Sequence, residues 1–61
     1  MKPKVKLVGE DGNVFSIIGR VSKALKRAGL PEKAKEFTDR ALSAGSYDEV
    51  LQMTFEYVEV S

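Results

Sequence analysis

A small α+β domain of order β-α-α-α-β is the fold this sequence predicts, with three helices packed on a two-stranded sheet of the terminal strands. Three observations lead to it. Both ends carry short apolar segments, Val5-Lys6-Leu7-Val8 and Tyr57-Val58-Glu59-Val60, the latter alternating with the period of a strand. Between them, apolar residues recur at helical spacing in three stretches, divided near Gly29 and Gly45. The run Gly9-Glu10-Asp11-Gly12-Asn13 marks a sharp change of chain direction just before the first helical stretch. Residues 1–61 make one domain, so each strand has only the other as a partner for its backbone N–H and C=O groups.

In the first strand, Val5 and Leu7 take the buried face among Lys4 and Lys6, and Pro3 suits an edge or a strand's first position. The first helix runs from Val14 to Ala28. Its apolar residues Val14, Ile17, Ile18, Val21, Ala24, Leu25 and Ala28 cover an arc of roughly 120°. Asn13 is placed as N-cap and Gly29 as the residue just past the helix end. Gly19, inside the helix, costs roughly 1 kcal/mol relative to Ala, which points to close approach of another helix or of a partner backbone.

Pro31 opens the second helix at its first position. Ala34, Phe37, Thr38, Ala41, Leu42 and Ala44 share its inner side, and Gly45 ends it. Ser46 and Glu49 form an S-x-x-E capping box for the third helix. There Tyr47, Val50, Leu51, Met53, Thr54, Phe55 and Tyr57 face inward; where the helix gives way to the last strand is left open, because Phe55 to Tyr57 also suit a strand. The expected core is Ile18, Val21, Leu25, Phe37, Leu42, Leu51 and Phe55.

Composition excludes much chemistry. The chain has no Cys and no His, so disulfides are absent, soft metal sites are nearly excluded and no cofactor is expected. No apolar run is long enough for a signal core or a membrane span, and the expected location is the cytoplasm. The adjacent carboxylates Glu10–Asp11 and Asp48–Glu49 read as a solvated turn and as helix N-terminal charge, not as a catalytic pair. Catalysis is therefore not expected. A chain this short buries only about 60% of the surface its unfolded form exposes, which argues for a tight core, a homodimer, or both. The dimer contact is expected at Tyr57–Val60 or on the apolar flank of the third helix, because Lys4 and Lys6 guard the other strand edge.

Charge is distributed unevenly. Residues 1–35 carry nine Lys or Arg against three carboxylates, and residues 36–61 carry Arg40 against six. The candidate binding residues lie in the basic half: Gly12 and Asn13 at the turn, then Arg20, Lys23 and Arg27 along the first helix, with Lys26 on the flank. Three readings follow. The first is a protein-interaction module, such as an inhibitor, using the exposed face of this helix and the turn. The second is a small anionic ligand or nucleotide held by the turn with Arg20 and Lys23, since a helix start offers unpaired N–H donors. The third is nucleic-acid binding by the basic stripe. It is weakened by the absence of interleaved aromatics and by Asp48 and Glu49 at the start of the third helix.

The segments Leu7-Val8-Gly9-Glu10-Asp11-Gly12-Asn13-Val14-Phe15, Ile17-Ile18-Gly19-Arg20-Val21 and Tyr47-Asp48…Leu51…Tyr57-Val58-Glu59-Val60 resemble short, functionally uncharacterised proteins of bacterial genomes, phages and other mobile elements. The resemblance spans nearly the whole chain and carries no assigned activity. It implies a setting in which small proteins often inhibit or sequester host machinery, and so favours binding over catalysis.

Overall fold

The computed structural model describes residues 2–6 and 13–60. The predicted element order is observed: β1 (Lys4–Val5), α1 (Val14–Arg27), α2 (Pro31–Leu42), α3 (Tyr47–Tyr57) and β2 (Glu59–Val60). The terminal strands pair with each other in parallel, Lys4 opposite Glu59 and Val5 opposite Val60. The ladder continues one step outward, where the Glu59 N–H donates to the Pro3 carbonyl at 2.9 Å. The boundary between α3 and β2, open in the sequence, falls after Tyr57, which ends the helix, so that β2 begins at Glu59; Leu7 and Val8 of the first predicted strand lie outside the described residues, as do Gly9 to Gly12 of the turn.

The cap residues act as their types require. The Asn13 side-chain carbonyl accepts the Phe15 N–H at 2.8 Å and starts α1. At the other end, Gly29 takes φ +79°. The Gly29 N–H donates to the Lys26 carbonyl and the Leu30 N–H to the Leu25 carbonyl, at 3.0 and 2.8 Å. This is the Schellman pattern, and it turns the chain directly into Pro31 at the head of α2. At α3, Ser46 Oγ accepts the Glu49 N–H at 3.2 Å. The Glu49 carboxylate reaches back one residue further than the usual box and accepts the Gly45 N–H at 2.6 Å.

The core gathers the inner faces of all three helices and one residue from β1. Ile17, Ile18, Val21 and Leu25 come from α1, Ala34, Phe37 and Ala41 from α2, and Val50 and Tyr57 from α3, with Val5 and Val58 closing the sheet side. Thr54 is buried among them, and its hydroxyl donates to the Val50 carbonyl at 2.8 Å, so no polar atom is stranded there. Phe37 and Tyr57 meet edge to face at 5.3 Å.

Several expected core positions are corrected. Leu42 is 60% exposed and Phe55 52% exposed, while Leu51 and Met53 are half-buried and Tyr47 is exposed. The reason is angular. At 100° per residue, Leu42 lies about 110° from the centre of the buried face of α2, and Phe55 about 130° from that of α3. Ala28 is exposed because it sits past the last turn of α1 as its C-cap. The second helix ends at Leu42, not at Gly45: the Ser43 and Ala44 N–H groups bond three residues back, to Arg40 and Ala41, and tighten the chain out of the helix. Gly19 is exposed, and among the described residues nothing lies within 4 Å of where its Cβ would stand, so no described element approaches it closely. Among the described residues, no helix is long and apolar enough to cross a membrane.

Candidate binding surface

The basic face of α1 is set by the same periodicity that buries its opposite side. Arg20, Lys23 and Arg27 are spaced by three and four residues and fall on one flank of the helix. That flank does not face open water alone. β1 runs beside it, and together they form a groove of about 510 Å³ whose walls include Lys4 and Lys6 from the strand side and Arg20, Lys23 and Arg27 from the helix side. Pro3, Val5, Ala24 and Ala28 supply its apolar surface. No carboxylate is among the described residues lining it, and no residue of β2 or α3 takes part. The groove therefore follows the side of β1 away from β2.

The cations around this groove repel one another, and the cost is low because Lys4, Lys6, Lys23 and Arg27 are exposed and screened. The same arrangement attracts a polyanion, since each of its charges approaches several cations within a Debye length of about 10 Å. Pairing β2 through the Pro3 carbonyl also fixes which way the β1 backbone points. With a period of two, the N–H and C=O of Lys4 are directed away from β2, toward the groove side.

The structure thus brings together Arg20, Lys23 and Arg27. Asn13 does not line the groove, and its side-chain carbonyl is engaged in capping α1. Gly12 lies outside the described residues. Sequence reasoning missed Lys4 and Lys6 as members of the surface and read them only as guards of a strand edge. The signal was present: two lysines two residues apart, opposite a buried Val5, must share one side of the strand.

A second polar cluster joins α2 to α3. The Arg40 guanidinium donates to the Tyr57 hydroxyl at 3.0 Å and to the Glu56 carboxylate at 3.4 and 3.5 Å. It also stands 5.7 Å from the centre of the Tyr57 ring. The bond to Tyr57, then the bond and charge of Glu56, raise the Arg40 pKa above its ordinary value. Lys2 reaches the same region, donating to the Phe55 carbonyl at 3.0 Å. Cations and carboxylates alternate here and neutralise one another, so this is a clamp between elements. Among the described residues no group of three or more Asp or Glu is placed to hold a metal ion.

In comparisons with known proteins, the chain matches no family model, no curated protein and no solved structure.

Proposed function

We propose that this protein is a non-enzymatic binding module that takes an acidic, extended segment of a partner protein into the groove between β1 and α1. The observation that carries this reading is the groove itself, lined by Lys4, Lys6, Arg20, Lys23 and Arg27 with no carboxylate among its described walls. Lysines on an edge strand discourage pairing with most chains. They favour a strand that carries carboxylates, because the backbone groups of Lys4 are then offered together with matching charge. A module of this kind acts by covering its partner's acidic surface, as an inhibitor or sequestering protein does.

Binding to a phosphate backbone is the second reading, favoured by the same five cations. It differs in a measurable way, because each neutralised phosphate releases a counterion and steepens the salt dependence. Titration with poly-glutamate and with a twenty-base-pair duplex, at 50 and 200 mM salt, separates the two. We expect poly-glutamate to bind, and the triple variant Lys6→Gln, Lys23→Gln, Arg27→Gln to lose roughly tenfold in affinity, at about 0.5 kcal/mol per removed surface charge. Preference for the duplex with a steep salt slope would transfer the proposal to nucleic acid. If neither polyanion binds, the groove is not the functional surface.

A further inference from the structure

A different surface, on the α3 side of the molecule, is apolar. Tyr47, Leu51 and Phe55 stand four residues apart and share one flank of α3, with Tyr47 39% and Phe55 52% exposed. At the start of α3 this stripe runs into a hollow of about 260 Å³, rimmed by Phe15, Leu42 and Tyr47 over Ile18 and Val50, with no charged residue among the described residues lining it. Phe15 is 71% exposed and Leu42 60%. Three of the largest apolar side chains on the surface thus surround one opening, and a fourth, Phe55, projects two turns away.

We infer that α3 packs antiparallel on the α3 of a second copy, across a two-fold axis at Leu51. Three features select a second copy and this orientation. The stripe is symmetric about Leu51, aromatic–leucine–aromatic, so an antiparallel pairing sets Tyr47 against Phe55 of the partner subunit twice over. That same step brings Phe55 of the partner subunit to the hollow beside Tyr47, an apolar knob to an apolar opening. The charges at the two ends are also complementary. Asp48 flanks the stripe at its start, and the Lys2 ammonium is held at its far end on the Phe55 carbonyl. Antiparallel pairing places each Asp48 beside Lys2 of the partner subunit, whereas parallel pairing would oppose Asp48 to its own copy. The remaining acids of α3 are drawn elsewhere, Glu49 to the Gly45 N–H and Glu56 to Arg40.

The area agrees. The exposed parts of the five apolar side chains amount to roughly 500 Å², given the size of aromatic side chains. A stable interface takes about 800 Å² per partner, about a fifth of this chain's 4156 Å² surface, the rest falling to the polar rim.

The chain has no cysteine, so Leu51→Cys introduces a single thiol on the proposed axis. Mild oxidation should convert most of it to a disulfide-linked dimer, while Lys35→Cys, an exposed position on α2 away from the axis, should dimerise without forming the disulfide. Light scattering over a hundredfold concentration range should give the parent twice the chain mass of 6.7 kDa and Phe55→Asp the chain mass alone, with helical circular dichroism unchanged. Asp48→Lys should weaken association about tenfold, and adding Lys2→Asp should restore it. A parent mass that stays at 6.7 kDa, equal cross-linking of both cysteine variants, or a Phe55→Asp variant that still dimerises would each overturn the proposal.

Discussion

Gly19 and Gly29 belong to the same helix and its exit, and their surroundings are opposite in kind. Gly29 holds φ +79°, which a side chain resists, and two backbone bonds depend on the turn it makes. Gly29→Ala should lower stability by about 1 kcal/mol or more, as read from urea denaturation. Gly19 lies in ordinary helix with open space around its missing Cβ among the described residues. Gly19→Ala should therefore raise stability by roughly 0.5–1 kcal/mol. A loss there instead would show that something beyond the described residues needs the glycine. In the core, Phe37 is fully buried and Leu25 nearly so, and truncation of either to Ala should cost about 3–5 and 2–5 kcal/mol. That is most of the stability of a small domain, so these variants should show little helical signal at 25 °C.

The helices differ in how fully their inner faces could be read from residue order. In α1 the apolar arc is narrow, its opposite side is charged, and both caps are of strongly biased type. Ile18, Val21 and Leu25 are buried as the periodicity predicts. In α3 the seven apolar or weakly polar residues span about 200° at 100° per residue, wider than one packed face. Periodicity alone could not say which flank would be covered, and the neighbours decided: Val50, Thr54 and Tyr57 turn inward, and Phe55 does not. The caps can be tested as elements. Ser46→Ala removes the acceptor for the Glu49 N–H and should cost about 1 kcal/mol by thermal denaturation. The Arg40 clamp between α2 and α3 calls for a planar fork, so Arg40→Lys should lower the melting temperature nearly as far as Arg40→Gln. Because the Arg40 pKa is raised, its contribution is fully present below the ordinary arginine value and is lost only as pH rises through the raised one. Stability should thus show no step from this group between pH 5 and 9.

At the scale of the molecule, the pairing of the two ends was legible, because neither strand had another partner. Its parallel direction was not legible, because two short alternating strands read the same in either orientation. The groove was half legible. Its helix wall could be read from the spacing of Arg20, Lys23 and Arg27, but its strand wall could not, because which helix β1 lies beside is decided by packing. The molecule measures 27 × 25 × 15 Å, little more than one helix diameter in its thinnest direction. Few amides are deeply protected in so thin a body. Hydrogen exchange should be slowest at Val21, Leu25 and Phe37 and faster at Glu59, whose bond to Pro3 can open without disturbing the α1–α2 contact.

The parallel pairing of the ends has a mechanical consequence. A force applied through the two termini pulls β1 backward from its first residue and β2 forward from its last, so the strands slide past each other and their bonds are loaded together. In an antiparallel pair of the same length, a pull on the two adjacent free ends would part the bonds one at a time, like a zip. Under single-molecule stretching the protein should therefore yield at a higher force when held by its ends than when held by one end and a point in α2, a direction that lets the short ladder peel open.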